Sequence, residues 1–402
     1  LIACIGDYDG LAVRSATKVT PEVLKAATNL KVVGRAGIGV DNINIDACSS
    51  NGVVVMNTPF GNAITTAEHA IAMLFSLARQ IPAADQTTQA GMWEKSRFMG
   101  TELTGKTLGI IGCGNIGSRV AERALGLKMR VVASDPFLTA DRAQDLGVEK
   151  LELEELFQRA DVITLHTPLT DATRDVLNKD AFAKMKDGIL IINCARGELV
   201  VEADIKAALE VGRVGGFAVD VFPTEPPENY SLFGMDNVVA TPHLGAATAE
   251  AQENVALQVA EQMSDYLISG AVVNAINMAS VSAEDAPKLK PYMHLAELLG
   301  GFAGQVIQTG LQSITIEYEG HAAGLNIKPL TACALKGVMA PAMESVNMVN
   351  APVIARDRDI GVSIVSHERE CEYQTLVRFT VTTEERQLSV AGTLIGGDKP
   401  RI

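Results

Sequence analysis

Short apolar runs that end in polar residues or glycine dominate the first part of the chain. Three of them, Leu11–Val13, Val32–Val33 and Val53–Met56, have the length and the β-branched content of buried strands. Between the first two, Thr20-Pro21 supplies a helix N-cap followed by proline at the first helical position. Apolar residues then recur at helical spacing over 65–78. The pattern predicts alternating strands and helices, followed by a long bridging helix.

The same alternation continues between Leu108 and His243 and predicts a parallel, doubly wound sheet. The predicted strands are Leu108–Ile111, Val131–Ala133, Val162–Leu165, Ile189–Ile192, Gly216–Val219 and Val238–Ala240. Helices are predicted in this region near Leu153–Gln158, Lys179–Met185 and Glu202–Glu210. A further helical pattern, Ala246–Leu267, is long enough to return to the first domain. The first domain would then be discontinuous in sequence.

The pattern changes after Gly270 and predicts a small α+β domain without a catalytic constellation. Its predicted helices are Met293–Thr309 and Thr331–Met339, and its β-like runs are Ile314–Ile316, Val362–Ile364, Leu376–Phe379 and Leu388–Val390. The fold class is therefore α/β: two doubly wound parallel-sheet domains with a small α+β C-terminal domain. The predicted domains are 1–60 with 247–278, then 61–246, then 279–402.

A glycine-rich loop follows the predicted strand Leu108–Ile111 and opens a helix. Gly112 permits a tight turn, Gly114 lets the backbone approach a pyrophosphate, and Gly117 lets the helix pack closely on the sheet. Asp135 ends the next strand, 135 − 117 = 18 residues after the last glycine. An acid at about that distance binds the ribose hydroxyls of adenosine. Because no arginine adjoins Asp135 to accept a 2′-phosphate, the cofactor is predicted to be NAD rather than NADP.

The composition argues against a nucleic-acid-binding, disulfide-rich or membrane-spanning protein. Among 402 residues, 34 basic and 48 acidic side chains give a net charge of −14, which disfavours nucleic acid as a partner and is ordinary for a cytosolic enzyme. The six cysteines are scattered and predict reduced, buried thiols rather than disulfides or a metal site. No apolar run approaches the ~20 residues of a membrane-spanning helix. The chain opens without an initiator Met, and we expect it to be a piece of a longer protein.

Three polar residues follow predicted strands of the second domain: Arg196, Glu225 and His243. The carboxyl ends of parallel strands are where such folds place their sites. Hydride transfer with a 2-keto or 2-hydroxy acid needs a cation for the carboxylate, and arginine binds it bidentately. It also needs an acid–base near neutral pH, which histidine provides, and a carboxylate that favours the charged imidazole. The three residues supply one group of each kind.

Several further motifs make the chain resemble a known family, the D-isomer-specific 2-hydroxyacid dehydrogenases. The similar stretches are Arg14–Lys18, Gly34–Asn42, Trp93–Leu103, Asn193–Gly197 and His243–Ala246. The likeness covers almost the whole chain and is strongest to members that oxidise D-3-phosphoglycerate with NAD, the first step of serine biosynthesis. It implies a phosphorylated 2-hydroxy acid as substrate, a cytoplasmic location, and Arg196, Glu225 and His243 as the catalytic set.

The resemblance also implies which residues bind ligands. Beyond the three glycines and Asp135, the implied NAD contacts are Asn115, Ile116, Thr167, Cys194, Ala195, Arg196, Asp220, His243, Leu244, Gly245 and Ala246. The implied substrate contacts are Arg14, Ser15, Arg35, Gly37 and Asn62. Because Arg196 already serves the carboxylate, Arg14 and Arg35 are expected to bind a phosphate. The alternative is that they pair with local acids such as Asp9 and Asp41.

The resemblance implies a flavodoxin-like first domain and a homo-oligomer, dimer or tetramer, in which Trp93–Leu103 packs against a second subunit and Lys95 or Arg97 reaches the neighbour's substrate site. Residues from about 281 resemble the intervening domain of the longest family type. Further N-terminal residues and a C-terminal ACT-type domain, found in such enzymes, are expected outside these 402 residues. One departure is Ile38, where some relatives carry threonine beside the cofactor.

Two other functions remain open at this point. One is another dehydrogenase of the family, acting on glyoxylate, hydroxypyruvate or lactate; formate dehydrogenase is disfavoured because the His–Glu pair is intact. The other is a NAD-sensing binding protein similar to the family's corepressors. The long C-terminal domain argues against the second, and so do Arg14 and Arg35, which a dinucleotide does not need.

Overall fold

The computed structural model describes residues 1–228, 230–281, 285–307, 310–343, 346–367, 373 and 375–402. The chain forms two compact units. One contains 1–59 together with 255–402, and the other contains 60–254. Short 3₁₀ turns occur at Ile5–Asp7, Gly197–Leu199 and His321–Gly324.

The first unit begins with a small parallel sheet. Its strands are β1 (Gly10–Val13), β2 (Val32–Arg35) and β3 (Val54–Asn57), connected by the helices α1 (Pro21–Ala26) and α2 (Ile45–Ser50). Alternate residues of the strands enter two cores: Val33 and Val55 pack with α1 and α2, whereas Val32 and Val54 face the opposite side. The sheet is therefore covered on both faces, as expected for a doubly wound sheet.

The second unit holds a parallel sheet of seven strands. Two helices, α3 (Ala63–Ala78) and α4 (Ile81–Gln89), precede it. The sheet and its connections are β4 (Thr107–Ile111), α5 (Asn115–Gly126), β5 (Arg130–Ser134), α6 (Ala140–Leu146), β6 (Glu149–Lys150), α7 (Leu153–Arg159), β7 (Val162–Leu165), α8 (Lys179–Lys184), β8 (Ile189–Asn193), α9 (Glu202–Glu210), β9 (Val214–Val219) and β10 (Val238–Ala240). The spatial order is β10-β9-β8-β7-β4-β5-β6. The order reverses between β4 and β7, and ligands of such sheets bind at the carboxyl ends beside this reversal.

The rest of the first unit is helical and then mixed α and β. Its elements are α10 (Ala249–Ser269, of which the part from Val255 belongs to this unit), α11 (Ala286–Gln305), β11 (Leu311–Gly320), α12 (Ile327–Met339), α13 (Ala351–Asp357), β12 (Gly361–His367), β13 (Thr375–Thr383), β14 (Gln387–Ile395) and β15 (Lys399–Arg401). Val259 and Met263 of α10 cover the second face of the small N-terminal sheet. The last five strands form a mixed sheet in the order β12-β11-β13-β14-β15. A core shared by this sheet, α11 and α12 holds the C-terminal part together.

These elements confirm the predicted fold class and correct several details. The helix predicted at Met293–Thr309 begins earlier, at Ala286, and runs through Pro291; positions 308–309 lie outside the described residues. The helix predicted from Ala246 begins at Ala249. Of the cysteines predicted to be buried thiols, Cys4 is exposed, because it lies in the loosely packed first turn. Cys371 lies outside the described residues.

Among the described helices, none combines the length and the apolar character that crossing a membrane requires.

Candidate active site

The glycine loop between β4 and α5 is tightly packed at Gly112 and Gly117 and faces open space at Gly114. Gly112 has φ +89°, and a Cβ there would lie 2.7 Å from the carbonyl carbon of His166. A Cβ at Gly117 would lie 2.1 Å from the carbonyl oxygen of Gly112. By contrast, nothing lies within 4 Å of a Cβ built at Gly114. The loop therefore leaves open space where the N-terminal N–H groups of α5 begin, which fits a pyrophosphate.

Asp135 ties the end of β5 to this loop. Its Oδ2 accepts a hydrogen bond from the backbone N–H of Cys113 at 2.7 Å, and its Oδ1 accepts one from Phe137 at 2.7 Å. A carboxylate has about four acceptor sites, so both oxygens retain capacity for the two hydroxyls of a ribose. Asp135 thus stands where the glycine-loop pattern predicts the acid.

The turn after β8 is organised by Asn193, whose buried side chain the sequence reasoning missed. Its amide donates to the carbonyl oxygen of Arg196 at 2.8 Å, and its Oδ1 accepts from the N–H of Ala195 at 3.1 Å. The Arg196 guanidinium is half-buried and donates to the carbonyl oxygen of Ala195 at 2.6 Å. Gly197 follows so close to a neighbouring loop that its Cβ would lie 2.2 Å from the carbonyl carbon of Phe222. These contacts fix the backbone that carries Arg196.

Glu225 and His243 form a direct pair, although 18 residues separate them. Glu225 Oε2 lies 2.6 Å from His243 Nδ1, and Glu225 Oε1 accepts from the N–H of Phe222 at 3.0 Å. One oxygen thus anchors the carboxylate to its own loop while the other orients the imidazole. With Nδ1 engaged, Nε2 is the atom left to exchange a proton with a ligand. The imidazole is about half exposed, with 48% of its surface accessible, so a ligand can reach it.

The turn that presents His243 is held by a buried carboxylate. His243 itself has φ +56°, in the left-handed region that few non-glycine residues adopt. Asp220, which is fully buried, accepts from the next two backbone N–H groups: Leu244 at 2.7 Å and Gly245 at 2.9 Å. The strained conformation of His243 is therefore stabilised by two charge-assisted hydrogen bonds immediately after it.

Two side chains that sequence reasoning missed complete this network. Thr241 Oγ1 donates to Asp220 Oδ1 at 2.6 Å, and His69 Nε2 of α3 lies 3.2 Å from the same oxygen. Burial alone would raise the pKa of Asp220, but the hydrogen bonds from His69, Thr241 and Leu244 hold that pKa below its ordinary value of 3.8. Asp220 therefore remains an anion. The sequence had assigned it only to the cofactor.

The turn after β7 carries the half-buried His166. His166 Nε2 lies 2.9 Å from Thr164 Oγ1, whereas its Nδ1 is buried without a partner among the described residues. Burial lowers the pKa of His166 to about 4, so this imidazole is neutral at physiological pH. Asn62, at the N-cap of α3, likewise has a buried Oδ1 with no partner in the described part of the chain. Such orphaned polar atoms indicate where a polar ligand would be accommodated.

The other residues expected to contact NAD lie on the same unit. Asn115 and Ile116 open α5, Thr167 follows β7, Cys194 and Ala195 follow β8, and Leu244, Gly245 and Ala246 follow β10. Burial raises the pKa of the Cys194 thiol, which keeps it protonated and unreactive. The cradle at Gly114, the acceptor capacity of Asp135 and the orphaned donors and acceptors fit a dinucleotide.

The four first-domain residues expected to bind substrate lie at the ends of β1 and β2 in the other unit. Arg14 is exposed and forms no ion pair with a described residue, whereas Asp9 pairs with Lys31 at 2.8 Å. Of the local acids considered as alternative partners of Arg14 and Arg35, Asp9 therefore pairs with Lys31. Arg35 donates to Asn42 Oδ1 at 3.2 Å and to the carbonyl oxygen of Ala36. Ser15, next to Arg14, is also exposed.

Gly37 lies in the loop after β2, two residues beyond Arg35. Its N–H donates to Thr58 Oγ1 at 2.7 Å, its φ is +140°, and a Cβ there would lie 2.6 Å from Nη1 of Arg35. Glycine at this position therefore lets the Arg35 guanidinium fold back along the loop.

Two family models match parts of this chain. Residues 71–245 match the NAD binding domain of D-isomer specific 2-hydroxyacid dehydrogenases, and residues 288–402 match the D-3-phosphoglycerate dehydrogenase intervening domain. Among solved structures, D-2-hydroxyisocaproate dehydrogenase is similar with a TM-score of 0.63 and 27% identity, covering 68% of this chain and 88% of that one. A glyoxylate reductase from Paecilomyes thermophila has a TM-score of 0.64 and 30% identity, with coverage of 67% and 85%.

Several named relatives align with nearly the whole of this chain. D-3-phosphoglycerate dehydrogenase of Bacillus subtilis is 44% identical over 96% of this chain and 74% of its own length. That of Synechocystis is 41% identical over 100% of this chain and 73% of its own length, and that of Methanocaldococcus jannaschii is 40% identical over 100% and 77%. The cofactor is accordingly NAD, and the chain belongs to the D-3-phosphoglycerate dehydrogenases within the D-isomer-specific 2-hydroxyacid dehydrogenase family.

Proposed function

We propose that this chain oxidises D-3-phosphoglycerate to 3-phosphohydroxypyruvate with NAD, the reaction that opens serine biosynthesis. The observation that carries the proposal is the 2.6 Å contact between Glu225 Oε2 and His243 Nδ1, in the unit that also holds the dinucleotide loop and Arg196. An oriented imidazole beside a carboxylate is the acid–base that a 2-hydroxy acid requires. The names of the relatives at 40–44% identity support the substrate.

His243 acts as the base in this proposal. Its Nε2 takes the proton of the C2 hydroxyl, and the negative charge of Glu225 stabilises the imidazolium that results. Arg196 binds the substrate carboxylate as a bidentate donor and holds the C2 carbon in place. When bound by this unit, NAD would supply the hydride acceptor for C2. In the reverse direction, His243 returns its proton to the carbonyl oxygen.

The cofactor contacts of the glycine loop, of Asp135 and of the turns after β7, β8 and β10 are part of the same proposal. Asp135 binds the two ribose hydroxyls and disfavours NADP, because its charge repels a 2′-phosphate. Asp220 supports this site by holding the backbone of the turn that follows His243. Asn62 Oδ1, buried and without a partner among the described residues, is proposed to accept a hydrogen bond from the substrate.

We further propose that 1–60 with 247–278 form the substrate-binding domain, 61–246 the NAD domain and 279–402 an intervening domain. Arg14, Ser15, Arg35 and Gly37 bind the phosphate of the substrate, since a doubly charged phosphate favours arginine forks and a hydroxyl donor. The unpaired cysteines of the described chain fit a cytoplasmic, reducing compartment. A homo-oligomer, dimer or tetramer, is the proposed assembly.

The phosphate assignment is tested by oxidation of NADH with two substrates that differ only in the phosphate. Phosphohydroxypyruvate should be used in strong preference to hydroxypyruvate, glyoxylate and pyruvate. Arg14→Ala should weaken kcat/KM for phosphohydroxypyruvate by about 1.5–3 kcal/mol, the range for hydrogen bonds to charged groups, and leave hydroxypyruvate nearly unchanged. Lys18→Ala, which removes an exposed cation from the same loop, is the control. Preference for glyoxylate would favour the reductase function, and binding of NADH without turnover would favour a corepressor-like sensor.

A further inference from the structure

One amide side chain, that of Asn42, connects the two loops that carry Arg14 and Arg35. Its Nδ2 donates to the backbone carbonyl oxygens of Arg14 at 3.0 Å and Thr17 at 2.6 Å. Its Oδ1 accepts from Nε of Arg35 at 3.2 Å. Its own carbonyl oxygen accepts from the N–H of Val19 at 2.8 Å. The 14–19 segment is therefore fastened at three points to a single residue.

The chemistry of the amide is specific to this arrangement. Two carbonyl oxygens converge on Nδ2, and only a group with two N–H donors can satisfy both. The other end of the same amide accepts a hydrogen bond from the Arg35 guanidinium. Aspartate has the same shape but would direct an oxygen at two carbonyl oxygens, and alanine would leave all three partners without this contact.

The consequence concerns the two cations. Arg14 is exposed at the end of β1, while Arg35 is half-buried at the end of β2, and neighbouring strands are about 4.8 Å apart. Two long side chains on separate loops lose affinity for a common ligand if the loops move independently. Asn42 holds the backbone at Arg14 and the Nε of Arg35 at once, so it sets the position of the Arg14 backbone relative to the Arg35 guanidinium.

We propose that Asn42 is a specificity-determining positioning residue: by holding the Arg14–Thr17 loop to Arg35, it gives the enzyme its preference for phosphorylated over unphosphorylated 2-keto acids. The inference rests on the proposed function of Arg14 and Arg35. Asn42 does not touch the reacting carbon, so its effect lies mainly in KM for the phosphorylated substrate.

The test compares Asn42→Ala and Asn42→Asp with Asn44→Ala as a matched control. Asn44 is two residues away and caps α2 by accepting from the N–H of Ala47 at 2.8 Å, so its loss costs stability without touching either cation. Both Asn42 variants should lose about tenfold or more in kcat/KM for phosphohydroxypyruvate, the scale of one lost charge-assisted contact. Their kcat/KM for hydroxypyruvate should stay within about twofold. Asn44→Ala should lower Tm and leave the ratio of the two substrates unchanged.

Thermal unfolding checks that each variant is folded. Equal losses on both substrates in a folded Asn42→Ala protein, or an unchanged ratio, would overturn the inference. The proposed function fails separately: if Arg14→Ala leaves the substrate ratio unchanged, Arg14 does not bind phosphate whatever Asn42 does. If Arg14→Ala changes the ratio and Asn42→Ala does not, only the role of Asn42 is wrong.

Discussion

The His243 imidazole is restrained from two directions by carboxylates that do different work. Glu225 contacts Nδ1 at 2.6 Å and faces solvent, whereas Asp220 is fully buried and holds the backbone that follows. Glu225 orients the imidazole through Nδ1, and Asp220 fixes the backbone turn that carries it. Substitutions at the two positions should therefore have different signatures.

Replacing Glu225 by glutamine removes the negative charge beside His243 Nδ1 and keeps the shape of the side chain. We expect a lower kcat, since the imidazolium formed in the reaction is less stabilised. His243→Ala should lower kcat by about 10²–10⁴-fold. Glu228→Gln, at an exposed position three residues along, is the control. An unchanged kcat in Glu225→Gln would assign that residue to structure alone.

In the strand–loop–helix element from β4 to α5, Gly117 lies so close to the backbone of Gly112 that there is no room for a side chain. Gly117→Ala should lower the free energy of unfolding by about 1–3 kcal/mol, because its Cβ would lie 2.1 Å from a carbonyl oxygen. It should also weaken NAD binding, measured by fluorescence titration. Gly126→Ala, at the other end of the same helix, meets open space and should be neutral or slightly stabilising. Equal effects of the two substitutions would contradict this account of the loop.

Helices and strands whose apolar residues end sharply at polar ones could be predicted from the sequence. Strands that exist only through hydrogen bonding to a neighbouring strand could not. The strands β7 and β10 and the helix α9 have the predicted limits, since apolar runs end sharply there. By contrast, β6 consists of two exposed charged residues and β15 contains Pro400; both exist only because a neighbouring strand offers partners. The helix α13, with seven residues, is absent from the elements predicted from the sequence.

The same division holds in the candidate site. Residue types at strand ends pointed to Arg196, Glu225 and His243, but the contacts of Asn42 and Asn193 follow from how loops fold back. The Asn42 side chain bridges positions 25 and 28 residues away, and His69 meets Thr241 across 172 residues. Periodicity and spacing carry no information about such pairs.

At the scale of the whole molecule, the neutral His166 links the stability of the fold to pH. Burial lowers the pKa of His166 to about 4 from an ordinary value of 6.5. Between these pH values the unfolded chain binds a proton that the folded chain does not, so the free energy of unfolding falls as the pH falls from 6.5 to about 4. We expect His166→Gln to flatten that dependence, measured by urea unfolding at several pH values. Parallel curves for the two proteins would exclude His166 as the source.

Assembly is the other property of the whole molecule. Trp93 and Met99, both in the segment expected to pack against a second subunit, are 85% and 79% exposed. We expect a dimer or tetramer by light scattering at micromolar concentration, with a smaller mass for Trp93→Lys. A monomeric wild-type mass would contradict the proposed assembly.

The small N-terminal sheet is completed by a segment made much later in synthesis. The edge strand β3 receives a hydrogen bond from Ile276 at 2.8 Å, and its Val55 N–H donates to Asn277, 222 residues further along. At ribosomal rates of about 5–20 residues per second, roughly 10 to 45 s pass before that partner emerges. During this interval Val32 and Val54 lack the cover that Val259 and Met263 of α10 provide in the folded protein. Burial of this face of the sheet therefore waits until α10 has been synthesised.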